Sequence, residues 1–577
     1  MTIKTLKELK KNLKQDYKTL PTIKVALLGD NATQLLATAI KGTGIDKGFN
    51  IDLFEADYNQ IERQILDPTS DLHSFNADYT IISQSTNKLL SLYNKKNTET
   101  QAHIADERLD FIEQICNSIQ SKIIYFNYPE IEDNIFGSYS NKVNSSFTYQ
   151  VRKINYELMN LSQKYLNFSI CDIAALQSKM GRNTMFDPSI YVTTEMTLSI
   201  DALPFVASRT IDIICASEGK INKCLIVDLD NTMWGGIIGD DGIENIQIGH
   251  GLGIGKAFSE LQQWIIKLKN RGIIIAICSK NNEETAKEPF EKHPEMALKL
   301  NDIAVFMANW DNKADNIREI QSILNIGFDS MVFLDDNPFE RNMVRQNIPE
   351  VTVPELPEDP AEYLEHIYSL NLFETASHSS ADADRTSQYQ TEAKRASTQK
   401  SFTNEAEFLK NLDMVSDVKP FNNFNTPRVS QLSQRSNQFN LRTVRYSEKD
   451  IEEISNNSKY QSFSFTLSDK YGENGLICII ILEKKDKETL FINTWFMSCR
   501  VLKRGMEHFT LSTIVNYAKS NGFKKIIGEY IPTKKNGMVK NHYKELGFSD
   551  ISSDTQKLFE LKADNHISKE HFITEKK

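Results

Sequence analysis

The sequence has little cysteine for its length, and what it has shows no pattern. Cys116, Cys171, Cys215, Cys224, Cys278, Cys478 and Cys499 are odd in number, scattered over 577 residues, and form no Cys-x-x-Cys pair. That spacing speaks against a disulfide framework or a cysteine-held zinc, so reduced thiols are expected. No stretch approaches the apolar length of a bilayer span. The lysine-rich start, Met1 to Lys11, is amphipathic and lacks the apolar core of a secretion signal. Positive charge is also in short supply. A formal net charge of −10 argues against a general polyanion-binding surface, although a local basic pocket for one phosphorylated ligand stays allowed. The expectation is a cytoplasmic protein with a small phosphorylated substrate and no nucleic-acid or membrane partner. No internal repeat is present.

What is there is an ordinary globular composition, 40% hydrophobic and 25% charged, in a chain too long for one core. Residues 1–20 have helical spacing, with Leu6, Leu9 and Leu13 on one face. Apolar runs beginning at Ile23, Phe49, Ala77 and Ser121 then alternate with amphipathic segments such as 108–119, and 145–180 reads as largely helical. Strands alternating with helices predict a doubly wound parallel sheet. A second α/β stretch begins near 220. Residues 374–401 are polar and read as a partly helical linker. From 402 the pattern changes to strands near 476–482 and 489–497, helices near 426–435 and 507–519, and a strand at 524–530. Residues 563–577 are charged and are expected to fray. The predicted domains are therefore 1–219, 220–373 and 402–577.

The chemistry gathers at strand ends in the middle of the chain. Leu225, Ile226 and Val227 form a buried-strand run that ends in Asp228-Leu229-Asp230, and side chains at i and i+2 share a face of an extended chain. Alone, such a pair is either an acidic turn or half of a cation site. Three further strand or helix ends decide between these. Ser279 closes the apolar run from Ile273, Lys313 sits at a helix start, and Asp335-Asp336 follow Met331-Val332-Phe333-Leu334. Together they supply what phosphoryl transfer needs. Asp228 is a carboxylate nucleophile and Asp230 a proton donor and acceptor. Ser279, Lys280 and Lys313 are phosphate-binding groups, with Lys313 facing the transition-state charge. Asp228, Asp230, Asp335 and Asp336 form an oxygen set suited to Mg²⁺.

That order, Asp-x-Asp-x-Thr, Ser, Lys, Asp-Asp, resembles the haloacid dehalogenase (HAD) superfamily. Asp-Leu-Asp-Asn-Thr-Met-Trp-Gly-Gly from Asp228, Cys278-Ser-Lys-Asn281 and Leu334-Asp-Asp-Asn-Pro-Phe-Glu-Arg341 resemble its FkbH-like branch. The resemblance implies a Rossmann-like parallel-sheet domain without a large cap, in which the Asp230 backbone carbonyl takes part in holding Mg²⁺. The glycine-rich segment 234–255 is expected as a flap over the site. Gly29-Asp30-Asn31-Ala32-Thr33 resembles the first block of SGNH hydrolases, but Asn31 stands where the nucleophilic serine belongs. A carboxamide cannot form the ester, so a non-hydrolytic SGNH-like or flavodoxin-like domain is expected over 1–219. The C-terminal region is similar to GNAT acyltransferases, an α+β fold. Arg500, Arg504 and Gly505 lie in a loop resembling their pyrophosphate cradle, with Lys503 in place of its first glycine. Asn541 and Tyr543 fall where that family places a turn asparagine and a proton-donating tyrosine. Acetyl-CoA or a phosphopantetheinyl carrier thiol would be the ligand, unless the fold serves only for docking.

FkbH-like proteins are associated with removing phosphate from a phosphorylated three-carbon acid and handing its acyl group to an acyl carrier protein. Cys278 and Cys499 are candidate thioester positions, each also readable as a small buried apolar residue. Two other functions stay open. One is a Mg²⁺ phosphatase on a sugar or small-acid phosphate whose GNAT-like domain acylates an amino sugar in surface-glycan biosynthesis. The other is a non-catalytic assembly module.

Overall fold

The computed structural model describes residues 3–576 other than 252, 379–384, 400, 401, 403, 437, 534, 554, 565, 567, 568 and 570. The chain divides into two compact units, Thr2–Cys215 and Ala216–Lys577.

In the first unit β1 (Thr22–Gly29), β2 (Asn50–Glu55), β3 (Tyr79–Ser83), β4 (Lys122–Phe126) and β5 (Phe168–Cys171) pair in parallel, in the order β2-β1-β3-β4-β5. Both faces are covered, which is why the strands read as unbroken apolar runs. Val25 and Leu27 enter one core with Ile211 and Ile214, while Ala26 and Leu28 enter the opposite core with Ile112 and Ile115. The order reverses between β1 and β3, the place where such sheets open a crevice at their carboxyl ends. Periodicity alone hides β5, which has four residues between the helices Phe147–Lys164 and Ile173–Met180. The helix expected over 1–20 spans only Leu6–Asn12, closed at its start by reciprocal bonds between Thr5 and Glu8.

In the second unit β6 (Cys224–Val227), β7 (Ile274–Ser279), β8 (Val305–Ala308) and β9 (Met331–Leu334) form a parallel sheet ordered β8-β7-β6-β9. The chain winds outward from β6 to β8 and returns on the other side of β6 as β9. The carboxyl ends of β6 and β9 therefore flank the switch point. Between β6 and β7 the described residues contain no cap domain. They hold the short helix Ile238–Asp241 and the long helix Gly255–Asn270. The expected flap is anchored where it begins. Trp234 is fully buried against Phe290, and Gly235 exchanges backbone hydrogen bonds with Gln247.

From Glu405 onward this unit is an α+β region. Its strands are β10 (Met414–Ser416), β11 (Val418–Lys419), β12 (Tyr460–Asp469), β13 (Gly472–Lys484), β14 (Thr489–Met497), β15 (Lys525–Glu529), β16 (Ser549–Asp550), β17 (Leu558–Lys562) and β18 (Ile573–Glu575). They run β16-β17-β15-β14-β13-β12-β10-β18, with β11 on β12. β14 and β15 are parallel neighbours only from Thr489 to Ile492, so β14 runs on to Met497 beyond that pairing. Two sequence expectations are corrected here. The charged C-terminal segment does not fray throughout, since β18 pairs in parallel with β10. The polar stretch read as a partly helical linker with little core of its own does hold a helix, Arg385–Gln399, but that helix is packed, with Tyr389 and Arg395 buried. Among the described residues no helix is long and apolar enough to cross a membrane.

Candidate active site

Asp228 follows β6 and Asp335 follows β9, neighbours in register through Val227 and Leu334. The backbone N–H of Asp228 donates to the carbonyl of Leu334 (3.0 Å), which ties the two strand ends together. Carboxylate oxygens of Asp228, Asp335 and Asp336 all lie within 4.8 Å of one another. Lys313, the first residue of the helix Lys313–Leu324 capped by Asn312, reaches across from beside β8. Its Nζ contacts Asp228 Oδ2 at 2.8 Å and Asp335 Oδ2 at 2.6 Å. Burial alone would lower the Lys313 pKa, but the two carboxylates outweigh it and hold the ammonium charged.

One ammonium does not balance three gathered carboxylates. Asp335 is fully buried, and burial followed by the charge of Asp228 raises its pKa against the opposing pull of Lys313 and the Asn337 N–H. Burial and Asp228 likewise raise Asp336. Asp228 Oδ1 is buried without a hydrogen-bond partner among the described residues. A surplus of hard oxygen donors gathered within 4.8 Å of one another fits a divalent cation of the Mg²⁺ type. The residues that could hold it are Asp228, Asp335 and Asp336.

Asp230 points elsewhere. Its Oδ1 accepts from Trp234 Nε1 and the Ile238 N–H (both 3.0 Å), and its Oδ2 accepts from Asn281 Nδ2 (3.1 Å). The side chain therefore stands outside the metal-like trio, leaving only the backbone carbonyl for that role. Its pKa is raised, by burial first. Ser279 is buried at the end of β7, and its hydroxyl has no described side-chain partner. Lys280, grouped with the phosphate ligands on sequence, pairs instead with buried Glu340 at 2.7 Å. Of the two readings of Cys278, the structure favours the small buried apolar residue. Neighbours on a strand face opposite ways, and Cys278 lies fully buried with its thiol donating to the Lys313 carbonyl at 3.8 Å. Burial pushes that thiol's pKa far up, the reverse of what an acyl-carrying thiolate needs. The Cys499 side chain lies outside the described residues.

Supporting residues emerge that sequence reasoning did not assign. Thr232 Oγ1 donates to Asp336 Oδ1 (3.2 Å) and accepts the Asp336 N–H (3.1 Å). Arg341 Nη1 donates to the carbonyls of Asp335 (2.8 Å) and Asp336 (2.6 Å), fixing the turn that presents both acids. The quoted motif ends on Arg341, so the residue was visible although its target was not.

In the C-terminal α+β region Lys503 (φ +62°) and Gly505 (φ +78°) both adopt left-handed backbone, and Gly505 opens the helix Met506–Ser520. The lysine thus keeps the conformation that glycine supplies more cheaply, at about 1 kcal/mol, with its side chain exposed. Arg500 and Arg504 do not point to open solvent. Arg500 bonds Gln388 and the Asn474 carbonyl, while Arg504 meets Glu392 (2.5 Å) and Asp469 (3.3 Å). Their engagement with the 385–399 helix corrects the expectation that they face a CoA-type ligand. Asn541 is exposed. Tyr543 packs against Gly528 of β15, where any side chain would collide with its ring, and its buried hydroxyl has no described partner. Burial holds that hydroxyl protonated. His542 Nε2 and Trp495 Nε1 are likewise buried without partners, with their rings 4.6 Å apart.

A parallel sheet whose carboxylates and lysine converge at its switch point defines an α/β site suited to a divalent cation. Residues 24–215 match the family model described as FkbH, N-terminal domain. The solved N-terminal part of the protein BF1531 from Bacteroides fragilis, containing a phosphatase domain and complexed with Mg, is 68% identical. The match covers 65% of this chain and 100% of that one, with a TM-score of 0.64. The chain belongs to the family of that Bacteroides protein. Weaker overlaps occur with the ribosomal-protein-S18-alanine N-acetyltransferase of Escherichia coli (13% identity, 25% of this chain and 90% of that one, TM-score 0.20). An N-acetyltransferase of Staphylococcus aureus Mu50 is similar to the same degree (16%, 26% and 99%, TM-score 0.20). Likenesses of that strength bear on neither activity nor substrate. No curated protein matches.

Proposed function

We propose that the chain is a Mg²⁺-dependent phosphohydrolase of the HAD type that works through an aspartyl phosphate on Asp228. We further propose that the acyl group of a phosphorylated three-carbon acid passes to the thiol of an acyl carrier protein, the thiolate attacking the carbon of an acyl phosphate and expelling phosphate there, while Asp228 takes a separate ester phosphate of the same substrate. The observation that carries the phosphoryl part is the divided environment of the Asp228 carboxylate. Lys313 anchors Oδ2, and Oδ1 stands buried and unpartnered. The anchored oxygen fixes the orientation of the free one, which is the atom that would attack phosphorus. Ser279 would donate to a phosphoryl oxygen, and Lys313 would face the charge that develops there.

Asp230, held at both oxygens by Trp234, Ile238 and Asn281, would give its proton to the leaving oxygen as the Asp228–phosphorus bond forms. It would then take a proton from the water that releases phosphate and restores Asp228. Its upward pKa shift favours the protonated form that the first half-reaction requires. Mg²⁺ held by Asp228, Asp335 and Asp336 would offset the negative charge of the phosphoryl oxygens.

The acyl-transfer half is drawn from the FkbH-like resemblance, which the match of residues 24–215 to the FkbH N-terminal domain supports. A second reading rests on Tyr543, whose protonated, unpartnered hydroxyl suits a donor to a leaving thiolate. On that reading the C-terminal region acylates an amine such as an amino sugar from acetyl-CoA, and the two chemistries act on separate substrates. The full chain tests both. Phosphate release is measured against phosphorylated acids and sugars with and without Mg²⁺, and acyl transfer to a phosphopantetheinyl carrier and acetyl-CoA consumption with amino sugars are followed in parallel. The first reading expects carrier acylation coupled to phosphate release. Phosphate release without carrier acylation, joined to acetyl-CoA turnover, supports the second. Absence of Mg²⁺-dependent phosphate release from the whole panel contradicts both.

A further inference from the structure

The first unit has a narrow cleft of its own, partly open to solvent, at the carboxyl ends of β3 and β4. Arg182 is the one charged side chain among the residues that line it. Its guanidinium lies 4.6 Å from the centre of the Phe186 ring, and its hydrogen-bond contact is a long one, 3.5 Å from Nη1 to the Glu130 carbonyl. Burial lowers its pKa, and no carboxylate opposes that shift. A half-buried cation without an acid beside it is costly unless an anion arrives from outside. Lys88, on the neighbouring helix, is not in this position, because it pairs with Glu195 at 2.9 Å.

The lining residues divide into groups already committed and groups still free. Asn127 gives its amide to Asp172 (2.8 Å) and accepts the Ala174 N–H (3.0 Å), so it belongs to the scaffold. Gln84 accepts from Tyr125 (2.7 Å) and Tyr128 (3.4 Å). The side chains of Asn87 and Thr197 make no described hydrogen bond, and Met185, Phe186 and Leu198 supply an apolar wall. A few convergent polar groups beside an apolar wall suit the head group of a small ligand whose body lies toward solvent. Asn31 does not line this cleft. Its amide bridges Asp30 and the Ser83 carbonyl (both 3.1 Å), so the cleft is not a vacated nucleophile position.

We infer that this cleft binds a small organic anion. The carboxylate or phosphate group of that anion meets Arg182, and its hydroxyl-bearing body reaches Asn87 and Thr197 against the apolar wall. The planar fork of arginine suits either head group, and the two are separated by experiment. The inference is independent of the activity proposed for the central site.

Isothermal titration calorimetry on the full chain with EDTA present, in the Asp228→Asn background to prevent turnover, uses glycerate, glycerol phosphate and inorganic phosphate as probes. Saturable binding of glycerate or of glycerol phosphate is expected, the stronger of the two naming the head group. Arg182→Gln weakens it at least about tenfold. Asn87→Ala and Thr197→Val, on separate elements, each weaken it about threefold and serve if Arg182→Gln fails to fold. Four results overturn the inference: no saturable binding of either organic anion, equal affinity in Arg182→Gln of native stability, inorganic phosphate binding as tightly as the organic anions, or binding abolished by Lys313→Met and untouched by Arg182→Gln.

Discussion

Asp30 and Asp228 hold the same position in two different sheets. Each follows an apolar parallel strand, and each lies beside a strand-order reversal. Their surroundings differ in one decisive respect. Asp30 Oδ1 accepts the Ser85 N–H (2.8 Å) and the Asn31 amide (3.1 Å), so its carboxylate closes a local network in the protein. Asp228 has one oxygen on Lys313 and one with no described partner, among two further carboxylates. A buried acid whose bonds are satisfied locally holds structure, whereas one left with a bare oxygen is poised for a ligand. Asn31 marks the divergence. Where the SGNH-like block would carry a nucleophile, its amide joins Asp30 to β3 and makes the turn rigid.

The comparison can be broken by substitutions of graded effect. Asp228→Asn preserves shape and is expected to lower phosphate release at least about a thousandfold, with unfolding temperature close to native by calorimetry. Unchanged turnover would erase the distinction. Lys313→Met leaves two buried carboxylates without their cation. Phosphate release should fall about a hundredfold, and denaturant titration should show a loss of about 3 kcal/mol. Asn281→Ala frees Asp230 Oδ2 and should slow phosphate release about tenfold, read as kcat with little change in KM. Asp30→Asn should do the opposite of Asp228→Asn. It is expected to lower stability by about 1 kcal/mol while phosphate release stays within about twofold of native. A large activity loss in Asp30→Asn would mean that the first unit's turn participates in the chemistry.

The parallel sheets were legible because apolar runs of strand length alternate with helical spacing. Asp228, Ser279, Lys313 and Asp335 were legible because each directly ends or begins one of those elements. Other features depend on contacts between distant segments, which no local pattern encodes. The orientation of Asp230 is set by Trp234, Ile238 and Asn281. The strand β12, by contrast, carries its own local signal, since Phe463, Phe465 and Leu467 alternate with Ser462, Ser464 and Thr466 at the period of a half-buried strand. Arg500 and Arg504 read as ligand-facing because their partners Gln388 and Glu392 lie in a stretch whose polarity reads as linker. Similarly, Lys280 read as a phosphate ligand because Glu340 is distant in sequence.

The central claim is that the free oxygen of Asp228 takes the phosphoryl group. It is tested most directly by mass spectrometry of protein acid-quenched during turnover of the best substrate from the phosphate-release panel. The account expects a hydroxylamine-sensitive phosphoryl adduct on the peptide containing Asp228, present with Mg²⁺ and absent from Asp228→Asn. Sustained phosphate release with no adduct on that peptide, at the same rate in Asp228→Asn, would contradict it.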